Sequence, residues 1–237
     1  MAGKFYGVGV GPGDPELMTL KAKRILDQAD IICTPKSKAG KDSIALSIVK
    51  EVVSTEGKIK DLVFPMTHDQ ERLDKFWNEA VDEIQAELES GQNVAFITLG
   101  DPLLYSTYIY VLERLQNRPM EVEIETVPGI NSFSACAAAM NQPLAEKNET
   151  LSIIPAAYDY DDLEEILATF DNTVLMKVAR NFDEVVAKLE KLEMKESSFY
   201  ASKCGRSEEL LTRDLDSLLG DELDYLSLVI AKQRGEE

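Results

Sequence analysis

Gly7-Val8-Gly9-Val10-Gly11-Pro12-Gly13-Asp14-Pro15 continues the apolar run that begins at Phe5. A short apolar run that ends in clustered glycines reads as a buried strand turning into a helix. Glycine allows the sharp turn and lets a ligand or a neighbouring strand approach the backbone. Asp14-Pro15-Glu16 supplies a helix start, with a capping carboxylate, Pro at the first helical position and an acid in the first turn. Two nucleotide-binding signatures are excluded here. The third glycine of a GxGxxG pattern is replaced by Pro12 counting from Gly7 and by Asp14 counting from Gly9, and no Walker A sequence occurs. An acid in the first turn is also poorly suited to cradling phosphate. A tight structural turn and a ligand contact are both open readings of this segment alone.

Outward from this stretch, short apolar runs alternate with amphipathic ones. Phe5–Val10, Ile31–Thr34, Leu62–Phe64, Val94–Thr98 and Val122–Thr126 read as strands. His68–Ser90 reads as a long helix, with Leu73, Phe76, Trp77, Ala80, Val81, Ile84 and Leu88 at helical spacing and Gly91 as the stop. Beyond residue 126 the pattern continues through strands at Leu151–Ile154, Thr173–Lys177, Ser198–Ala201 and Leu226–Ala231. Helices are expected at Tyr160–Thr169 and Phe182–Glu193. Alternation of this kind implies βαβ crossovers and parallel sheet. With no repeat or low-complexity linker, two α/β domains are expected, 1–125 and 126–237.

The 237 residues carry 43 Asp and Glu against 25 Lys and Arg, a net charge of −18. Such a balance argues against extended nucleic acid and against an anionic membrane surface as partners. The excess is uneven: residues 1–60 hold ten Lys and Arg against seven Asp and Glu. Met1–Phe5 contains no apolar run of signal-peptide length. The charge-free run between Glu125 and Glu146 is interrupted by Pro128, Asn131, Gln142 and Pro143, so a cytoplasmic protein is expected. Cys33, Cys136 and Cys204 are too far apart in sequence for a CxxC-type zinc set and read as small buried hydrophobes. His68, the single histidine, excludes a histidine-cluster metal site. No metal is expected.

Three further segments could carry chemistry. Leu99-Gly100-Asp101-Pro102-Leu103-Leu104-Tyr105-Ser106-Thr107 follows a strand directly, where open α/β sheets bind ligands. Asp101 there could hold an amino group or a ribose hydroxyl, or cap a helix starting at Pro102. Val127-Pro128-Gly129-Ile130-Asn131-Ser132 opens a helix of small residues, which suits close packing or a flat ligand. Pro35-Lys36-Ser37-Lys38-Ala39-Gly40-Lys41 brings three lysines together without an acid, either as a solvated loop or as an anion site.

In this order and spacing, the four segments resemble the tetrapyrrole methylase family over essentially the whole chain. Pro35-Lys36-Ser37, Phe64-Pro65-Met66 and Gly100 to Thr107 together are similar to the branch that methylates carbon 20 of precorrin-2 or cobalt-factor II in cobalamin biosynthesis. The resemblance implies two α/β domains with S-adenosylmethionine in the cleft between them, usually in a homodimer. It implies cofactor contacts at Pro12, Leu99, Gly100, Asp101, Leu104, Asn131, Ser132, Met176 and Gly205. A departure from the uroporphyrinogen-methylating branch is Pro35-Lys36-Ser37, where that branch places an acid. A tetrapyrrole bearing many carboxylates needs cationic partners. Lys36, Ser37, Lys38 and Lys41 are expected to bind it, with Lys203 and Arg206 as additions. Asp101 and Tyr105 are the candidate catalytic groups, with positioning as their first role. Rival readings are another member of the family, acting on a different ring carbon, diphthamide or ribosomal RNA, and a nucleotide-binding module without catalysis.

Overall fold

A computed structural model of the chain describes residues 2–38, 40, 42–67, 69–156 and 162–233. Lys41, His68 and Tyr160 lie outside the described residues. The chain divides into two compact units, Met1–Asn131 and Ser132–Glu237.

The first unit is built on strands β1 (Phe5–Gly9), β2 (Ile31–Lys36), β3 (Ile59–Val63), β4 (Val94–Thr98) and β5 (Ile124–Val127). Their order is β3-β2-β4-β1-β5 and every pairing is parallel. The boundary expected at 125/126 falls inside β5, which hydrogen-bonds to β1; the division comes later, after Asn131. Helices α1 (Leu20–Gln28), α2 (Ile44–Val52), α3 (Gln70–Glu89) and α4 (Tyr108–Gln116) supply the connections. Alternation along each strand sends successive side chains to opposite faces. Val8, Val10, Ile32, Ala95 and Ile97 therefore pack with α1 and α2, whereas Phe5, Cys33, Val94 and Phe96 pack with α3 and α4. On α3 and α4, Trp77 stacks on Tyr110 at 4.2 Å, and the Arg114 guanidinium lies over Trp77 while pairing with Asp74.

Two expected helix starts differ. Asp14 does cap, its Oδ1 accepting from Glu16 N at 2.8 Å, but the element is a single 3-10 turn, Pro15–Leu17, and α1 begins only after Thr19. No helix begins at Pro102; residues 101–107 form a looped turn and α4 starts at Tyr108.

At the amino end of the sheet, Lys4 sits between Glu123 (2.5 Å) and Glu125 (2.7 Å), and Lys21 reaches Glu125 at 2.7 Å. This ties β1 to β5 and to α1. Lys21 and then Lys4 hold the Glu125 carboxyl down at about 2, below its ordinary 4.5. The stabilisation is present above the unfolded value and is lost as pH falls through the folded one. Comparing urea unfolding of the protein and of Glu125→Gln, the stability difference is expected to be constant above about pH 5 and to shrink on further acidification. A difference that grows with acid would contradict the clamp.

The second unit contains strands β6 (Leu151–Pro155), β7 (Asn172–Met176), β8 (Phe199–Ser202), β9 (Leu210–Thr212) and β10 (Ser227–Lys232). Its helices are α5 (Ser132–Ala139), α6 (Leu163–Thr169) and α7 (Phe182–Lys191). The order is β6-β7-β10-β8-β9. Here the expected parallel sheet is corrected: only β6 and β7 run parallel, and β10 is antiparallel to both β7 and β8. The link from β8 to β9 is too short for the crossover that a parallel pair requires, so these strands form an antiparallel pair. Leu175, Tyr200, Val229 and Ala231 pack against Leu167 of α6 and against Phe182, Val186 and Leu189 of α7. The three cysteines are buried and unbridged, as expected of small hydrophobes. Burial pushes the Cys33 thiol up to about 12. A hydrogen bond with Cys204, followed by burial, raises that of Cys136.

Candidate functional site

In a parallel sheet all strands end on the same edge, and the first unit's motifs gather there. Three loops meet at the ends of the adjacent strands β4, β1 and β5. Gly11 and Gly100 bridge backbone to backbone, with Gly100 N donating to Gly11 O at 2.8 Å. A Cβ at Gly129 would lie 2.1 Å from Gly100 O, and one at Gly9 would lie 2.6 Å from the same oxygen. The close approach left open by the sequence is therefore first an approach of backbone to backbone. Gly100 differs from its two partners. Its φ is +69°, and the place of a Cβ there meets, beyond its own chain neighbours, only Ile130 O at 3.9 Å. Pro12 is buried beside this junction, and Leu99 and Leu104 are half-buried.

Asp101 holds the junction together. Its Oδ1 accepts from Leu103 N at 2.9 Å and its Oδ2 accepts from Gly129 N at 3.0 Å, joining the loop after β4 to the loop after β5. Both carboxylate oxygens are engaged by backbone amides, which suits a positioning group better than a proton acceptor. A second latch escaped the sequence reading. The buried Ser106 hydroxyl lies 2.8 Å from Thr98 Oγ1 and accepts from Tyr108 N at 3.2 Å, folding the loop back onto its own strand. Between these two fixed points Tyr105 adopts φ +50° and is 43% exposed. Ser106 belongs to the Leu99–Thr107 segment, but a contact with the preceding strand leaves no local pattern in sequence.

The lysine loop occupies the same edge, after β2 and so beside the loop after β4. The β2–β4 ladder stops at Cys33 and Phe96, while β2 continues against β3 as far as Lys36. Pro35 is tolerated because no β4 partner remains to need its amide. Past the end of the ladder the Thr34 hydroxyl is fully buried without a hydrogen-bond partner, the one such atom of this unit among the described residues. Lys36 is not a free cation: its ammonium pairs with Asp61 at 2.5 Å. Ser37 is half-buried and Lys38 is exposed.

In the second unit, β7 and β8 both run antiparallel to β10, so Met176 and Gly205 fall on one edge of that sheet. Met176 ends β7, and Gly205, at φ +77°, follows β8 and donates its amide to Glu209 at 2.7 Å. Lys203, beside it, pairs with Asp224 at 3.3 Å. Asn131 closes the first unit and Ser132 opens α5 in the second.

The chain belongs to the tetrapyrrole (corrin/porphyrin) methylase family, whose model matches residues 4–218 and so takes in the parallel sheet, the glycine junction and the lysine loop. The chain is 43% identical over 232 residues to the probable cobalt-precorrin-2 C(20)-methyltransferase of Methanocaldococcus jannaschii, spanning 97% of this chain and 96% of the relative. It is 36% identical over 237 residues to the cobalt-precorrin-2 C(20)-methyltransferase of Salmonella typhimurium, spanning 100% and 99%. Among solved structures, a cobalt precorrin-4 methyltransferase shares the fold with a TM-score of 0.75 at 21% identity, over 97% of this chain and 94% of that one. The uroporphyrin-III C-methyltransferase of Thermus thermophilus complexed with S-adenosylhomocysteine gives 0.69 at 19% identity, over 98% of each. The family resemblance read from the four motifs is borne out, and with it the two α/β units.

Proposed function

We propose that this protein is an S-adenosylmethionine-dependent methyltransferase that methylates carbon 20 of a precorrin-2-level tetrapyrrole, in its cobalt-bearing form, in cobalamin biosynthesis. The observation that carries the reading is the sharing of one sheet edge by a glycine junction, open at Gly100, and a lysine loop. The two relatives described above point to the carbon and the metal.

The space at Gly100 and its left-handed backbone fit a flat ligand laid against the peptide. In this reading Pro12, Leu99, Gly100, Asp101, Leu104 and Asn131 hold the cofactor from the first unit. S-adenosylmethionine supplies a methyl group on a sulfonium, already activated for transfer to a carbon nucleophile. The protein's task is therefore alignment. Asp101 aligns by fixing two loops at once, and Tyr105 forms part of the wall beside them. The enzyme works as a cytoplasmic homodimer. No helix among the described residues is long and apolar enough to cross a membrane, and sedimentation velocity reads the dimer.

Incubation with S-adenosylmethionine and precorrin-2, with and without cobalt, tests the assignment. One added methyl and an equivalent of S-adenosylhomocysteine are expected, faster on the cobalt form; cofactor binding without turnover on either form would end the reading. Because Lys36 is paired with Asp61, Lys38 carries most of the attraction for substrate carboxylates. Lys38→Glu, alone or with Lys36→Glu, is expected to raise KM for the tetrapyrrole about fivefold or more, an effect that salt weakens. Unchanged kinetics in the double variant would remove the lysine loop from the substrate site.

A further inference from the structure

Among the described residues, Met66 is 73% exposed and Leu103 is 56% exposed, both at the carboxyl edge of the first sheet. A single exposed apolar side chain is ordinary. These two stand on backbone that is held in place. Phe64 is buried, meets Phe96 edge-on at 5.8 Å and donates its amide to Lys36 O at 2.8 Å. Pro65 then restricts the chain, and Met66 follows. Leu103 is pinned by its amide on Asp101. Their exposure is therefore built in.

The strand order places these loops. β3, β2 and β4 are consecutive in the sheet, so the strand ends from which the Met66 loop and the Leu103 loop rise stand about 10 Å apart, with the strand that carries the lysine loop between them. The sequence along the edge is apolar, cationic, apolar. That pattern is complementary to a flat conjugated ring system bearing carboxylates. Met suits such a face, being flexible and polarizable and favourable against π-systems.

We propose that Met66 and Leu103 form an apolar ledge on either side of the lysine loop, against which the tetrapyrrole lies, with Met66 as a specificity-determining contact. The inference rests on the methyltransferase reading above and extends it to a loop, after β3, that lies away from the glycine junction. It also gives Phe64-Pro65-Met66 a function: an anchor, a stiffener and a contact.

The test is an absorbance titration of cobalt-factor II into the protein in the presence of S-adenosylhomocysteine, repeated with Met66→Ala and Leu103→Ala. Met66→Ala is expected to weaken tetrapyrrole binding about tenfold, as for loss of much of a buried side chain. S-adenosylhomocysteine affinity and the urea midpoint should stay unchanged, and turnover should show a raised KM with little change in kcat. Unaltered tetrapyrrole affinity in both folded variants would overturn the ledge and leave the methyltransferase assignment standing. A shift in oligomeric state with unaltered affinity would overturn it too, making the patch a contact between copies. Absence of tetrapyrrole binding by the unaltered protein would defeat the substrate assignment and the ledge together.

Discussion

Gly129→Ala is expected to abolish measurable cofactor binding, weakening it at least about a hundredfold, and to lower the melting temperature by several degrees. The added carbon would sit 2.1 Å from Gly100 O, 3.0 Å from Gly100 C and 2.9 Å from Gly9 Cα. All three neighbours are backbone atoms of adjacent strand ends, which cannot turn aside as a side chain can. Overpacking by a methyl group costs about 1–3 kcal/mol where side chains yield, and the cost here lies at the upper end or beyond. The loop after β5 must move away, and its hydrogen bond to Asp101 goes with it. Gly57→Ala makes the comparison: φ there is +73° with open space around it, so that variant bears backbone strain alone and should bind S-adenosylhomocysteine normally. Calorimetric titration of both variants reads the difference. Wild-type affinity in Gly129→Ala would contradict the junction as the cofactor's support.

Asp101→Asn is expected to weaken cofactor binding about ten- to a hundredfold and to destabilise the protein by about 1–3 kcal/mol. The carboxylate accepts two backbone amides, one on each oxygen. An asparagine side chain offers one carbonyl oxygen, and its amino group confronts the second amide as donor against donor. One of the two loops is therefore released. Because Asp101 acts through geometry, the pH dependence of kcat/KM should keep its shape as its magnitude falls. Disappearance of an acidic limb from that profile in Asp101→Asn would instead make Asp101 a proton acceptor in the reaction.

The first sheet was legible because its strands are short apolar runs and α3 carries an uninterrupted helical stripe. The second was misread in direction. Strand orientation depends on where a link returns: β9, only three residues long, gives no strand pattern in the sequence, and the return that sets β10 antiparallel to β7 and β8 is not written in any one strand. Asp101 was recognised as either a cap or a ligand group, yet its second partner, Gly129, lies on a different loop, and only the β4-β1-β5 adjacency joins them. The lysine loop was found from its charge, but the neutralisation of Lys36 by Asp61 follows from β2 pairing with β3 and is invisible in the loop itself. Gly9, Gly100 and Gly129 each lie in a separate glycine-containing turn motif of the sequence. That the three converge is a property of the strand order.

The most direct test is to supply S-adenosylmethionine carrying a carbon-13 methyl group together with cobalt-factor II, and to locate the label in the product by nuclear magnetic resonance. The account predicts one labelled methyl, bonded to carbon 20 of the macrocycle; a label on any other ring carbon, or on no carbon of the tetrapyrrole, would contradict it.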